Sequence, residues 1–516
     1  MSSTMGRAAL VVSAGILASR LLGFVREMVL AAVLGRSIEA DLYQAAFTIP
    51  DFIFFLMAGG YLTITFVPII SRNLAAGDSD GVNHSFTAVM RVVGGLMLVA
   101  TVATMAAAQP LTERLFPDIP ADRIPELVDL VRIILPAQFF FVLGSLLMAV
   151  QYAHRRFLLP ALAPLVYNMA IIAGGFISAA MGNAGPAGFM WGALAGAVVG
   201  NFGVQWWGAH RLGVRLTSGV PLMHKSVPEY LTLAFPLMIG QSAVALDEVF
   251  LRIFGQLGNS GDIAGLNYAR RVNLVPVGVI AQAAGVASFP FLSRLFAEHR
   301  LDEMKATVAT ALRSSLAVAG LGAAGAIGLA LPIIQVSYQR GEFTAGDTVL
   351  VAPLLAIYGI SIPMWAAHQV YTRAFYAQRR MWLPVVIGTA TTVVSIPVYL
   401  FGARSYGAAG VAGASVVVMG VYTLAIGWWW HREVPAGEIG ASLARMLLAG
   451  IPATGAGWGV TRLLMRDGPA GFDTAAITLL AGGLATIAVY VAVLKLIRAP
   501  ELGMLRRRSG DSPSIE

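Results

Sequence analysis

Three charged side chains interrupt the first long apolar stretch of the sequence, residues 8–34: Arg20, Arg26 and Glu27. A charge near the middle of a bilayer costs on the order of 3 kcal/mol, so such a residue usually faces a cavity or a partner. A guanidinium stays charged in any protein site, and its planar fork matches pairs of phosphate oxygens. The arginines therefore predict an anionic, phosphate-bearing ligand, whereas Arg26 and Glu27 could also neutralise each other.

Later apolar stretches carry further charges. Asp41 opens the second stretch, where we expect it within reach of Arg26, and Asp51 follows Pro50 and could cap a broken helix. In the eighth stretch Arg270 and Arg271 are adjacent, hence about 100° apart on a helix, so at least one of them points inward.

The seventh stretch holds Asp247, Glu248 and Arg252. The four-residue spacing between Glu248 and Arg252 suits an ion pair within one helix. Asp247 then remains as a candidate ligand for Na⁺ or a proton, with Glu248 beside it, unless the group is purely structural.

The composition identifies the elements that must hold these residues. Of 516 residues, 57% are hydrophobic and 12% are charged, against roughly 25% charged in soluble domains. The chain has no cysteine, which excludes disulfides, thiolate metal sites and a thiol nucleophile. The net charge of +8 lies largely in short loops and the tail, which indicates membrane topology rather than nucleic-acid binding.

The apolar residues form fourteen stretches long enough to span a bilayer, so we predict an all-α polytopic membrane protein with about 14 transmembrane helices. Lysines and arginines favour the loops on the side of the N-terminus, which predicts that both termini are cytoplasmic. The predicted stretches are 8–34, 42–70, 84–108, 127–152, 158–181, 186–209, 229–256, 267–293, 306–336, 348–376, 382–402, 408–430, 440–463 and 473–496.

The chain repeats itself after about 222 residues. Val67-Pro-Ile-Ile-Ser-Arg72 returns as Phe289-Pro-Phe-Leu-Ser-Arg294, and Tyr152-Ala-His-Arg-Arg156 returns as Tyr376-Ala-Gln-Arg-Arg380. The offset equals six spans, an even number, so both copies enter the membrane in the same direction. We predict two six-helix lobes at 1–215 and 216–435, two extra helices at 436–498 and a basic cytoplasmic tail at 499–516.

With these residues placed, the chain resembles the MurJ/MviN family of lipid II flippases, within the multidrug/oligosaccharidyl-lipid/polysaccharide exporter superfamily. The resemblance rests on Ser19-Arg-Leu-Leu-Gly-Phe-Val-Arg-Glu27, on Asp41, on Tyr268-Ala-Arg-Arg271 and on Gln339-Arg-Gly-Glu-Phe-Thr344. It implies two lobes around a cationic cavity and two further helices that shape a groove for a lipid tail.

The resemblance also implies the substrate and its contacts. The ligand would be lipid II, an undecaprenyl-diphosphate-linked muropeptide, which is flipped across the bacterial inner membrane among the other membrane lipids. The residues that would contact or gate the diphosphate are Arg20, Arg26, Glu27, Asp41, Arg270 and Arg271. Coupling would come from Na⁺, from H⁺ or from the membrane potential, and no other cofactor or metal is implied.

The sequence departs from the family pattern at several positions. Where many members carry charges after the second-helix proline, this chain has Phe54, Phe55 and Ala58-Gly59-Gly60, and a family acid of the eighth helix is Leu274. Thr391 and Ser395 stand near the positions of an Asn/Asp pair that belongs to a sodium site in some members. A flippase for another lipid-linked oligosaccharide is therefore an alternative.

Other function classes have less support. A cation-coupled drug exporter of the same superfamily would need a cavity dominated by acids, and arginines outnumber Asp247 and Glu248. A membrane-embedded enzyme would need clustered Asp and His in its loops, and no Walker, Rossmann or HExxH pattern is present. A non-transporting scaffold would not explain charges buried at such cost.

Overall fold

Helices account for all the regular structure that we observe. The computed structural model describes residues 3–57, 61–281, 287–434 and 437–503, and every regular element among them is helical. The predicted all-α class is confirmed. Ala58, Gly59 and Gly60 and residues 504–516 of the predicted tail lie outside the described residues.

The contacts divide the chain into two compact units, Met1–Ala264 and Gly265–Glu516. The predicted boundaries at 215, 435 and 498 stay predictions. Helices of the first unit are α1 (Ser3–Leu34), α2 (Ile38–Ala46), α3 (Thr48–Met57), α4 (Tyr61–Ala75), α5 (Ser79–Ala106), α6 (Ala108–Leu115), α7 (Ile124–Ala153), α8 (Leu158–Ala180), α9 (Pro186–Gly196), a π-helical segment (Ala197–Gly203), α10 (Val204–Arg211) and α11 (Ser226–Gly255).

The second unit begins three residues inside α12 and contains the extra C-terminal helices. Its helices are α12 (Asp262–Ala281), α13 (Ala287–Ala297), α14 (Leu301–Gly328), α15 (Ala330–Tyr338), α16 (Ala345–Gly359), α17 (Ile362–Ala377), α18 (Trp382–His431), α19 (Ile439–Leu464) and α20 (Phe472–Leu496).

By length and composition, nine helical stretches of the described residues could cross a membrane: Ser79–Ala106, Ile124–Ala153, Leu158–Ala180, Pro186–Arg211, Leu301–Gly328, Ala345–Ala377, Trp382–His431, Ile439–Leu464 and Phe472–Leu496. Helices also lie on the remaining predicted stretches, some of them in shorter pieces. That about fourteen of them cross the membrane stays a prediction.

Two helix breaks have clear causes in the sequence. Pro50 lacks the N–H that would bond back across the junction between α2 and α3. In α18, Gly407 has φ 55° and ψ −137°, which divides this helix into two arms at a conformation that L side chains rarely adopt. Gly402 and Gly410 let the arms touch, because a Cβ on Gly410 would lie 1.8 Å from the carbonyl oxygen of Gly402.

Each unit buries its own apolar core and also presents large apolar side chains outward. In the first unit Phe66, Val89, Leu146 and Tyr230 belong to one cluster that joins α4, α5, α7 and α11. The outward residues include Val99 on α5, at 68% exposure. Outward apolar side chains on helices that satisfy their own backbone hydrogen bonds suit a lipid environment.

Candidate functional site

The charged side chains of α1 have two kinds of environment: Arg26 and Glu27 form an ion pair, whereas Arg20 is exposed. Arg26 donates from Nη2 to Oε1 of Glu27 at 2.5 Å and from Nη1 to Oδ1 of Asn168, on α8, at 3.1 Å. Glu27 is buried and Arg26 is partly buried, with side-chain exposures of 2% and 16%. Asn168 is itself held by a hydrogen bond from its Nδ2 to the carbonyl oxygen of Pro164. Arg26 is therefore a neutralised and oriented side chain.

Arg20 lies about a turn and a half earlier on α1 and is exposed. Among the described residues no carboxylate lies within salt-bridge distance of its guanidinium. Its neighbours Leu17 and Leu21 are also exposed, at 60% each. Arg20 thus presents a whole positive charge on an otherwise apolar helix surface.

A second buried cluster joins α3 to α11. Arg252 donates to Oδ2 of Asp51 at 2.8 Å and to Oε1 of Glu248 at 2.9 Å. Its side chain is only 3% exposed, whereas both carboxylates retain 26% exposure. The predicted Glu248–Arg252 pair is confirmed, and Asp51 shares the same guanidinium. Asp247, the preceding residue, is half-buried.

Residues near the starts of α2 and α12 form a junction, which we call the outer junction because the loop charges predict that this end lies outside. It is defined by Arg36, Asp41, Gly261, Asp262 and Ala264. The carboxylate of Asp41 accepts from the backbone N–H groups of Gly261 at 2.6 Å and Ala264 at 2.8 Å. Arg36 forms an ion pair with Asp262. Acidic side chains at a helix N-terminus satisfy backbone donors and complement the helix dipole.

This geometry corrects one expectation. The sequence placed Asp41 within reach of Arg26, but Arg26 bonds Glu27 and Asn168, and Asp41 bonds the start of α12. Asp41 is only 3% exposed and both of its oxygens are engaged, which makes it a positioning residue in this conformation.

A cavity of about 360 Å³ adjoins the outer junction. Asp118, Asp122 and Arg123 line it from the connection before α7, and Asn259 and Ser260 line it from the connection after α11. Arg123 also pairs with Glu39 at 3.0 Å, where burial raises the pKa of that carboxyl but hydrogen bonds and the Arg123 charge lower it by more. Charged side chains of both signs line the cavity together with apolar ones such as Ile38 and Ile263.

In the second unit, Arg270 and Arg271 are both partly exposed on α12. The helix is anchored by Tyr268, whose buried ring lies 5.1 Å from that of Tyr338 and 5.8 Å from that of Phe343. Two segments on which the resemblance rests, at 268–271 and 339–344, therefore meet in one aromatic cluster that fixes the two arginines on α12.

The predicted coupling residues do not form a ready-made metal site. No group of three or more metal-ligating side chains occurs in the part of the chain that the structure describes. The hydroxyls of Thr391 and Ser395 donate to carbonyl oxygens of their own helix, at 2.8 and 2.7 Å. Asp247 and Glu248 as a cation site stay a prediction.

Sequence reasoning missed the contacts between helices. Neither the Asn168–Arg26 bond nor the Asp51–Arg252 bond follows from local spacing, because each joins residues more than 140 positions apart. The Arg36–Asp262 pair joins residues 226 positions apart, so local spacing does not indicate it either. The first unit brings Arg26 and Glu27 together, whereas Arg270 and Arg271 belong to the second unit.

The described part of the chain consists of helices, many of them apolar enough to cross a membrane, and it holds ion pairs within and between helices, a combination that defines the class of polytopic membrane transporters. A family described as "Lipid II flippase MurJ" matches residues 30–475. The chain belongs to the MurJ family of lipid II flippases.

Individual relatives agree with this assignment. A probable lipid II flippase MurJ of Rhizobium meliloti (strain 1021) is 26% identical over 97% of this chain and 96% of the relative. The lipid II flippase MurJ of Burkholderia cenocepacia is 27% identical over 75% and 76% of the two chains.

Solved structures share the fold. A lipid II flippase MurJ in an inward closed conformation matches with a TM-score of 0.79 and 20% identity, covering 96% of this chain and all of the other. An inward-facing multidrug resistance transporter of the MATE family matches with a TM-score of 0.67 and 16% identity over 82% and 95% of the chains.

Proposed function

We propose that this chain flips lipid II across the bacterial inner membrane by alternating access. The observation that carries the proposal is Arg20, an exposed guanidinium without a carboxylate partner among the described residues, on the first helix of a MurJ-family chain. A diphosphate supplies the oxygen pairs that a guanidinium fork binds best. The substrate partner is the undecaprenyl-diphosphate-linked muropeptide.

Each charged side chain has a distinct part in the proposal. Arg20 meets the diphosphate, and Arg270 and Arg271 supply positive charge from the second span of the second repeat. Arg26 is held by Glu27 and Asn168, so its charge contributes to the field of the site while its position is fixed. Asp41 acts through the outer junction, which must open when the substrate leaves.

Orientation and driving force complete the proposal. Both termini lie in the cytoplasm, which the excess of lysine and arginine in loops on the N-terminal side supports. The membrane potential, or a cation held by Asp247 with Glu248, shifts the population between inward-open and outward-open states.

The test is lipid II flipping by the purified chain in proteoliposomes, measured with a fluorescent lipid II analogue and an impermeant quencher. Arg20→Ala is expected to lower the flipping rate about tenfold or more, because a charge-assisted bond to phosphate contributes roughly 1.5–3 kcal/mol. Arg20→Lys keeps the charge but loses the fork, so its rate should lie between those of the wild type and Arg20→Ala.

Arg132→Ala is the matched control. Arg132 is 44% exposed on α7 and makes only a 3.8 Å contact with Asp129, so its removal should leave the rate unchanged. Full activity of Arg20→Ala would refute the role of Arg20. A wild-type chain that moves no lipid II would refute the function itself.

A related substrate is the second candidate, and one feature of α3 favours it. Phe54, where many family members carry an arginine, packs its ring against Phe55 at 6.2 Å and against Phe141 at 5.9 Å. These aromatic rings form an apolar surface and supply no positive charge to bind a second anionic group. Competition of unlabelled lipid-linked oligosaccharides against labelled lipid II in the same vesicles distinguishes the two substrates.

A further inference from the structure

His368, on α17 of the second unit, is a buried titratable side chain that the proposed function leaves without a role. It is 5% exposed. Its ring lies 4.5 Å from the ring of Tyr422 and 6.1 Å from that of Trp365. Nε2 is 3.4 Å from the hydroxyl of Thr372, and Nδ1 has no hydrogen-bond partner among the described residues.

Among the described residues, no carboxylate lies within ion-pair distance of His368. From α18, Tyr422 faces the ring, and its hydroxyl already donates to the carbonyl oxygen of Pro384 at 2.9 Å. α14 packs against α17, and its buried residues include Leu312, Leu316 and Ser315, whose hydroxyl donates to the carbonyl oxygen of Ala311 at 2.6 Å. Arg313, also on α14, is a cation that pairs with Glu438 at 2.7 Å. These neighbours would not stabilise an imidazolium.

The remaining titratable groups of the region are also of the wrong sign or are engaged elsewhere. On α17 itself Tyr371 binds His431, Tyr376 is a neutral phenol and Arg373 is a cation. On α13, Arg294 is exposed and pairs with Glu298. From α12 the apolar Val277 joins the adjoining core cluster. A charged His368 would be a buried cation without a counter-charge, so the side chain is neutral in this conformation.

His431 shows what a structural histidine looks like in the same unit. Its Nε2 lies 2.9 Å from the hydroxyl of Tyr371, and its Nδ1 lies 2.9 Å from the carbonyl oxygen of Val434. Both ring nitrogens are therefore satisfied. At His368, by contrast, Nδ1 is buried and has no hydrogen-bond partner among the described residues, which carries a desolvation cost. No contact of the described residues compensates for this cost in the conformation observed.

We propose that His368 is a proton-binding site: it takes up a proton when a change of conformation exposes it to water on one side and releases the proton on the other. The proposal rests on the proposed function, since the proton moves in exchange for the lipid substrate. An imidazole is the side chain whose unperturbed titration falls near physiological pH, so wetting or drying the site is sufficient to change its charge. No bond other than N–H is made or broken.

The experiment uses the full chain in proteoliposomes with the fluorescent lipid II analogue outside and a pH-sensitive dye inside, at a membrane potential clamped to zero. In the wild type, a gradient of one pH unit should shift the leaflet ratio of the analogue by up to about tenfold for one proton per cycle, with proton flux to match. His368→Gln and His368→Asn should lose both responses, and in a second assay with an imposed membrane potential they should still flip the analogue. His431→Gln, the matched control, should keep them.

The outcomes separate the two proposals. Wild-type flipping that ignores the pH gradient, or His368→Gln that responds like the wild type, overturns the proton site and leaves the flippase intact. Absence of flipping in the wild type under every condition refutes the flippase, and the proton site falls with it if the dye also reports no flux.

If neither His368 variant folds, the wild-type chain labelled with ¹⁵N-histidine decides the matter. Of its seven imidazoles, one should be protonated at pH 5 without the analogue and become neutral when the analogue is added, because the proton and the lipid bind in exchange. Seven imidazoles that titrate alike with and without the analogue would overturn the proposal.

Discussion

At the scale of single residues, Arg252 is the side chain that two carboxylates share inside the first unit. Removing one member of a buried ion cluster costs about 3–5 kcal/mol, because charges remain in a poorly solvated place. We therefore expect Arg252→Met, which keeps the length of the side chain, to lower the unfolding free energy by roughly that amount. Thermal unfolding of the detergent-solubilised chain, followed by circular dichroism, measures the loss.

The control is Arg294→Met. Arg294 pairs with Glu298, but its side chain is 71% exposed, so water replaces the lost partner and the change should stay below about 1 kcal/mol. Equal losses in the two variants would show that the burial of Arg252 does not determine its contribution.

Residue spacing predicted only one of the two ion pairs of Arg252, the pair with Glu248 on the same helix. The four-residue interval between Glu248 and Arg252 places both side chains on one face of a helix, and that pair is present. The partnership with Asp51 depends on how α3 packs against α11, 201 positions away, which no local pattern encodes. Helix packing, which local spacing does not encode, also explains why Asp41 bonds the start of α12 instead of Arg26.

At the scale of elements, a helical turn at 501–503 follows the end of α20. The carboxylate of Glu501 attaches this turn to α19. Glu501 accepts hydrogen bonds from Ser442 and from Arg445, the latter at 2.9 Å, and Arg313 lies 3.6 Å away. Burial alone would raise the pKa of Glu501, but the bonds from Ser442 and Arg445 outweigh it and hold the pKa below its ordinary value. The ionised carboxylate is thus the form that docks.

The sign of the pH dependence follows from that lowered pKa. Docking is fully stabilised above the ordinary pKa of a glutamate, about 4.3, and is lost as the pH falls through the lower value of the docked state. Because the chain has no cysteine, a fluorophore on Gly503→Cys can report release of the turn. We expect release only at acid pH, below the ordinary pKa of a glutamate.

Glu501→Gln supplies the control, since a neutral side chain cannot attract two arginines at any pH. Its turn should be released more readily at pH 7, with little further change on acidification. A wild-type signal that stays flat down to pH 3, or a Gln variant with the same midpoint as the wild type, would contradict the role of the carboxylate.

Helix-breaking residues predict some of the irregularities in the helices and miss others. Pro50 marks a helix break, and the glycine before the predicted twelfth stretch, Gly407, marks another. The π-helical segment 197–203 has no such marker, because it depends on how its side chains meet α7 and α8 rather than on a breaking residue.

At the scale of the whole molecule, composition was sufficient for the class, whereas the parallel relation between the two copies stays a prediction from the internal repeat. A chain with 12% charged residues cannot form a water-soluble shell, and an offset of six spans implies parallel repeats. The partners of the charges were not predictable in this way, because the outer junction joins α2 to α12 through backbone N–H groups that carry no sequence signal.

The outer junction carries the last prediction. It joins residues of the two predicted lobes, 1–215 and 216–435, although all of them belong to the first compact unit. Alternating access requires the outer ends of these lobes to separate, so a short tie between positions 36 and 262 should stop flipping. The variant is Arg36→Cys/Asp262→Cys, treated with a short thiol cross-linker that a reductant cleaves, in a chain without native cysteines.

Lipid II flipping should fall to the level of protein-free vesicles after cross-linking and return after reduction. Gln109→Cys/Glu113→Cys is the control, because these residues are four apart on α6 and their side chains already touch at 3.0 Å, so a tie there restrains no motion between helices. Each double variant is first assayed without the reagent, which separates the loss of the Arg36–Asp262 ion pair from the effect of the tie. If the tied 36–262 variant flips lipid II as fast as its untied form, the outer junction does not open during transport, and substrate leaves by a path on which these residues stay in contact.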